Sequence, residues 1–376
     1  MESASRAEVL AFRVRAQQLD RAGGSLAQTA ALDLGVQDTG PDGGLWALAN
    51  RGVEPPLDAD ALATVWTLRG APHLYRRADL NGVAAAVEPF SEADASKRIV
   101  DAARPLKAAG VSTLDALDAV AAAMRSLVEA PTVKGDVSGA LSSVLGPPYV
   151  RWCQPCGATH VYEMPFRLAA LRAGLELQPG TSPPVLQRIP GFSVRSRGAG
   201  AAERTQPVQV PSRFDVIRCY LRLLGPATPK HVAEFLDAPI KDVKTRWPSD
   251  AVEVAVEDET RWLVAEDVTA LGTAPAEVTR LLGPYDLFLQ ARDRKLLVDE
   301  PGHAKQLWPV LGRPGAVLLS GGIAGAWRAR KTGPRLRVTV ELWKAVTAQE
   351  RAAVVHEAER LAGYRRLSLD GVDFAP

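Results

Sequence analysis

The apolar positions in the first half of the chain recur at helical spacing, while those of residues 273–376 fall in short runs between Gly-rich turns. Leu57 to Leu68 and Ser112 to Val128 each carry an apolar stripe with the helical period. Ser91-Glu92-Ala93-Asp94 sets an acid three residues after a serine, a capping-box-like start for a helix running to about Leu106. Pro147-Pro148 ends this helical region, and Tyr149 to Tyr162 reads as two short strands around a turn. Residues 195–212 lack periodicity and are rich in Gly, Ala and Pro, as expected of a linker or mobile loop.

The next segment carries the clearest supersecondary signal. Phe214 to Leu224 is amphipathic and stops at Gly225-Pro226, and Thr228-Pro229 supplies an N-cap and first-turn proline for Lys230 to Leu236. After Asp237-Ala238-Pro239, a third short helix, Ile240 to Trp247, carries Lys241, Lys244 and Arg246. Val252 to Val256 and Arg261 to Val264 follow as strands around Glu257-Asp258-Glu259-Thr260. Three helices and a hairpin form the winged-helix layout, in which the third helix meets a DNA groove. Strands are expected at Ala316 to Leu319, Ile323 to Trp327 and Leu336 to Leu342, with a hairpin at Ser320-Gly321-Gly322 and a last helix from about Ala348 to Ala362. The fold class is therefore α+β, in four segments: 1–194, 195–212, 213–272 and 273–376.

The length of 376 residues allows two or three cores, and 47% hydrophobic with 23% charged residues is ordinary for a globular protein. A net charge of +2 does not mark a nucleic-acid binder, but its distribution is uneven. Residues 186–246 hold 11 basic against 5 acidic side chains, and 280–337 hold 11 against 4, whereas 250–267 hold seven acids and one arginine. Two basic stretches split by an acidic one suit a protein with one charged working face; solvated surface arginines are the plainer explanation. Three cysteines argue against a disulfide framework. With no apolar leader and no run of membrane-spanning length, the expected setting is cytoplasmic and nucleoid-associated.

Phosphate-binding Gly-Lys-Ser/Thr loops, nucleophile elbows and dinucleotide fingerprints are absent. The segment Leu34-Gly35-Val36-Gln37-Asp38-Thr39-Gly40 instead sets an amide, a carboxylate and a hydroxyl side by side in a turn. It resembles the Gln-x-Gln (or Gln-x-Asp) catalytic motif of the AlkZ-like winged-helix DNA glycosylases, with Thr39 in the place of the second Gln. Four further passages resemble that family in order: Leu68-Arg69-Gly70-Ala71-Pro72-His73-Leu74, Gly225-Pro226-Ala227-Thr228-Pro229, Leu282-Gly283-Pro284-Tyr285-Asp286 through Arg292-Asp293-Arg294, and Gly325-Ala326-Trp327-Arg328. The resemblance implies tandem winged-helix units around a small β-barrel, in a C-shaped architecture with a basic channel for duplex DNA. It also implies excision of N-alkylated purines and, in some members, unhooking of interstrand crosslinks.

An alkylated purine is a cationic leaving group, so the enzyme must chiefly place water at C1′ and stabilise oxocarbenium character there. Gln37 aligns with the family's first Gln and is the candidate for water or lesion positioning. Asp38 is a candidate base if the loop shifts by one residue, and Thr39 offers a hydroxyl; either could instead cap the helix beginning near Pro41. Arg69, Arg76 and Arg77 are candidate phosphate contacts, and His73 could meet a flipped base or a phosphate, or cap a helix end. Cys153-Gln154-Pro155-Cys156-Gly157-Ala158-Thr159-His160 has a spacing that could seat three zinc ligands. A structural site needs four, so the expectation is two buried cysteines in a strand turn and no metal. The expected protein is a monomeric glycosylase acting on duplex DNA, without a membrane or small-molecule cofactor. A non-catalytic DNA-binding protein and a protein-interaction module with an acidic wing are the rivals.

Overall fold

The computed structural model describes residues 2–58, 60–194, 210–274 and 277–375. The expected linker or mobile loop therefore lies, over 195–209, outside the described residues. The fold mixes α and β and divides into two compact units, each built from more than one stretch of chain. One comprises Met1–Leu57, Ile217–Phe235 and Trp247–Pro376; the other comprises Asp58–Val216 and Leu236–Arg246. No helix among the described residues is long and apolar enough to cross a membrane.

In the first unit, Thr279–Leu282, Gly315–Leu319, Gly322–Thr332, Arg335–Leu342 and Ser368–Ala375 form a sheet in that order. All neighbours are antiparallel except the last pair, which is parallel and joined through the helix Ala348–Tyr364. Along Arg335–Leu342 buried Leu336, Val338 and Val340 alternate with exposed Arg335, Arg337 and Thr339, the period-two pattern of a sheet with one covered face. The helix covers that face with Val354, Ala358 and Leu361, and Trp46 joins the same core. The expected β-barrel is corrected here: among the described residues this sheet is open, with Thr279–Leu282 and Ser368–Ala375 at its two edges. The same unit holds the expected hairpin, Ala251–Val256 with Glu259–Val264, extended by a parallel strand Glu2–Ala4.

The second unit contains the strands Pro72–Arg76, Leu62–Trp66, Leu175–Leu177, Val185–Arg188 and Thr132–Val133, in that spatial order. They pack on helices through Trp66, Met124, Phe166, Leu175 and Leu186. The helix read over Leu57 to Leu68 is a strand at Leu62–Trp66. That run is buried throughout and pairs residue for residue with Pro72–Arg76. A short apolar run buried on both faces has no period to distinguish strand from helix. The helix from Ser91 breaks at Ile99 and continues as Val100–Ala108, whereas the helix expected over Ser112 to Val128 is present as Thr113–Leu127, with Ser112 as its cap. The helices Val216–Leu224, Pro229–Leu236 and Ile240–Thr245 appear in the predicted order. The third is held within this unit: Ser91 Oγ donates to Asp242 (2.5 Å) and Lys97 Nζ to the Ala238 carbonyl (2.9 Å).

Candidate active site

The motif turn lies between the helices Ala31–Leu34 and Gly43–Ala49, with Val36–Gln37 extended. Asp38 Oδ1 accepts from the Gly44 N–H at 2.7 Å, satisfying a helix-terminal donor that lacks an intrahelical partner. Gly43 takes φ +57°, and a Cβ there would stand 2.2 Å from Asp38 Oδ1, so the residue must be glycine for this contact to form. Asp42 instead pairs with Arg365, while Tyr364 Oη donates to the Asp42 carbonyl at 3.1 Å. Burial first, and then the Asp42 and Asp38 carboxylates, push Tyr364 up to about 12, keeping it a donor at neutral pH. The turn is thus tied to the end of the last helix.

Gln37 and Thr39 bond to each other. Gln37 Nε2 donates to Thr39 Oγ1 at 3.2 Å, and both residues line a narrow cleft whose other walls are Asp42, Gly43 and Ala47 on one side and Gly283–Asp286 on the other. Asp38 does not line that cleft. The bond uses one of the two amide N–H groups of Gln37 and leaves its carbonyl oxygen as the acceptor. The motif therefore presents an amide braced by a hydroxyl, with its one carboxylate turned to the helix.

Asp286 forms the cleft's wall and is fully buried against Arg51, which donates to both carboxylate oxygens at 2.9 Å. Arg51 also donates to the Ala47 carbonyl (2.7 Å) and Gln17 Oε1 (2.9 Å). Asp286 Oδ1 also accepts from the Phe288 N–H at 3.0 Å and so caps the short helix Leu287–Gln290, while the Gly283–Asp286 turn is closed by the Asp286 N–H on the Gly283 carbonyl (3.0 Å). The Arg313 guanidinium stands 5.4 Å from the centre of the Tyr285 ring, a cation–π distance that puts positive charge beside the cleft. Sequence reasoning singled out neither Arg51 nor Arg313. Arg51 and Asp286 are 235 positions apart, and no local pattern joins them.

The remaining candidates all lie in the second unit. The His73 ring is 2% exposed, with Nδ1 donating to the Ala71 carbonyl (2.9 Å) and 3.0 Å from Thr67 Oγ1. It is a buried side chain on the strand Pro72–Arg76 rather than one facing solvent or capping a helix. Burial, reinforced by the Arg69 charge and opposed by the Ala71 carbonyl, lowers its pKa to about 3. The unfolded chain, with an ordinary value near 6.5, therefore takes up this proton first as pH falls. The neutral ring's contribution to stability is whole above pH 6.5 and is lost as pH falls toward 3, at about 1.4 kcal/mol per pH unit. Urea titrations across that window should show a shallower acid dependence for His73→Gln than for the wild type; equal slopes would rule out the buried neutral ring as the cause.

Arg76 pairs with Asp79 at 2.9 Å, and Arg77 with Glu176 at 2.8 Å and with the Asp60 and Leu62 carbonyls. Arg69 sits at φ +58° before Gly70. Arg246 donates to the Phe90 carbonyl and stacks its guanidinium 4.9 Å from that ring's centre. Lys241 and Lys244 differ: both are exposed, three apart on one helix, and neither has a carboxylate partner among the described residues. The structure thus brings Gln37 and Thr39 together, engages the Asp38 carboxylate with the Gly44 N–H, and engages Arg76, Arg77 and Arg246 in contacts of their own.

The family model described as "DNA glycosylase AlkZ-like" matches residues 31–364. The fold is similar to that of the Streptomyces sahachiroi DNA glycosylase AlkZ, with a TM-score of 0.71 at 18% identity, covering 99% of this chain and 100% of that one. No curated protein matches the chain.

Proposed function

Because the chain belongs to the AlkZ-like DNA glycosylase family, we propose that it excises N-alkylated, cationic bases from duplex DNA by water attack at C1′, using Gln37 in the cleft described above. The observation that carries this reading is the Gln37–Thr39 pair lining one cleft. A cationic base leaves without a strong general acid, so the chemistry asks for an oriented acceptor rather than a strong base. Gln37 Oε1 supplies that acceptor, ordering a water and facing the positive charge that develops on the sugar. Thr39 is a positioning residue: by accepting from Nε2 it directs the carbonyl oxygen of Gln37 away from itself. Asp38 has a capping role. No lysine lies in the motif, so the reaction stops at base release, without a Schiff-base lyase step.

DNA engagement follows from the order of elements. The helices Val216–Leu224, Pro229–Leu236 and Ile240–Thr245 and the hairpin Ala251–Val264 follow one another in winged-helix order, and in this reading the third helix offers Lys241 and Lys244 to phosphates. Lys241→Gln and Lys244→Gln should each lower the slope of log affinity against log salt by about 0.9 and weaken binding evenly across sequences. An unchanged slope in the double variant would remove this helix from the interface.

The activity is tested by incubating excess protein at low salt with a duplex containing N7-methylguanine and scoring abasic sites by alkaline cleavage. Release of the base is expected. No release would end the catalytic reading and leave the second one, a duplex-binding protein without turnover. That alternative draws on a specific observation: no carboxylate at the cleft or in the motif is free to act as a base, since Asp38 caps Gly44, Asp42 is paired with Arg365 and Asp286 with Arg51.

A further inference from the structure

The antiparallel hairpin Val150–Cys153 and Ala158–Val161 carries a cluster of two cysteines and a histidine that the proposed reaction does not use. The expectation of buried cysteines fails: Cys156 is exposed and Cys153 half-buried, because both lie at the tip of a two-stranded hairpin. In the register Cys153 faces Ala158 and Arg151 faces His160, so Cys153 and His160 are diagonal neighbours on one face. Cys156 sits in the turn between them. The ligand atoms of Cys153, Cys156 and His160 all lie within 4.8 Å of one another.

From this geometry we infer that the hairpin tip is a divalent-metal site, with Zn²⁺ bound by the two thiolates and the imidazole and a solvent molecule in the fourth position. Three features support it independently of spacing. Ligands on one tetrahedral zinc ion stand roughly 3.5–3.8 Å apart, so the cluster needs to contract by only about an ångström. His160 Nδ1 donates to the Val161 carbonyl at 3.0 Å, which fixes the tautomer and leaves Nε2 as the lone pair; metal-bound histidines are oriented in this way. Gly157, directly after Cys156, takes φ +59° and closes the turn with its N–H on the Gln154 carbonyl (3.3 Å), folding the Cys-x-x-Cys loop back on itself. Two thiolates and one imidazole select zinc over magnesium or calcium. A structural zinc site has four protein ligands, and the remaining cysteine, Cys219, is buried in the other unit. The site is therefore of the open kind, able to take an exchangeable donor.

On binding, each thiol releases its proton to solvent and no electrons move. The test uses the full chain purified under reducing conditions. Elemental analysis should find one zinc per chain, and replacement by Co²⁺ should give a thiolate-to-cobalt absorption band with tetrahedral visible bands. Cys153→Ser and Cys156→Ser should abolish both signals, while His160→Asn should weaken Co²⁺ affinity by at least about tenfold. Cys219→Ser should change nothing. Metal should also slow amide exchange over Val150 to Val161. A reduced protein that binds no Co²⁺ at micromolar concentration overturns the inference. So does a His160→Asn variant of unchanged affinity, or isolation with a Cys153–Cys156 disulfide that excludes the metal. Circular dichroism of each variant separates loss of the site from loss of the fold.

Discussion

Gln37→Ala is expected to slow release of N7-methylguanine by about 10²–10⁴-fold, the usual cost of removing a positioned group that acts on the attacking water. Duplex affinity should stay as in the wild type, because the side chain is half-buried and makes no ion pair. The decisive measurement is a single-turnover rate at enzyme excess, which reports the chemical step without product release. Thr39→Val makes a graded control. It keeps the shape of the side chain and removes the oxygen that holds the Gln37 amide, so its loss should be smaller than that of Gln37→Ala. Asp38→Asn should leave the rate unchanged, since an amide oxygen can still accept from the Gly44 N–H. Equal rates for wild type and Gln37→Ala would mean that this cleft is not where the bond breaks. A large loss in Asp38→Asn would move the base role to the carboxylate.

Arg51→Ala should destabilise the first unit by about 3–5 kcal/mol, as expected when one partner of a buried ion pair is removed. Both side chains are completely buried, and Arg51 serves four acceptor atoms at once: both Asp286 oxygens, the Ala47 carbonyl and Gln17 Oε1. Deleting it strands a carboxylate out of water and unpairs a carbonyl and an amide oxygen. Denaturant unfolding should show a lower midpoint at an unchanged m-value. Arg51→Met combined with Asp286→Leu should be less destabilised than Arg51→Ala, because neither charge is then left buried alone. A loss below about 1 kcal/mol in Arg51→Ala would place this pair in a wet site worth no more than a surface bridge. At temperatures where the variant remains folded, base release should still fall. Arg51 anchors the Asp286 carboxylate, and Gly283–Asp286 forms one side of the cleft.

These two predictions differ in how far the sequence could have led to them. Gln37 and Thr39 were legible because a turn presents its chemistry within a few residues, and the ordered passages downstream carried the family. The helices Thr113–Leu127 and Ala348–Tyr364 and the hairpin Ala251–Val264 were legible for a similar reason: caps, proline and glycine stops, and periodicity are local signals. Leu62–Trp66 reads as helix in sequence but is a strand, because its pairing with Pro72–Arg76 and its burial, rather than any period of its own, decide its state. The exposure of Cys156 is not legible in the sequence, because a Cys-x-x-Cys spacing says nothing about whether the hairpin tip is covered.

What the sequence determined by itself was therefore the family, the order of most elements and the identity of the side chains at the motif. The tertiary structure decided what those side chains do. It turned Asp38 to the helix and Thr39 to Gln37, buried His73 as a neutral ring, engaged Arg76 and Arg77 with Asp79 and Glu176, and left Lys241 and Lys244 exposed. The physical reason is the range of the interactions involved. Caps and turns are settled by neighbours a few residues away, whereas burial, ion pairing and the walls of a cleft depend on residues hundreds of positions apart, such as Arg51 and Asp286, that meet when the chain is folded.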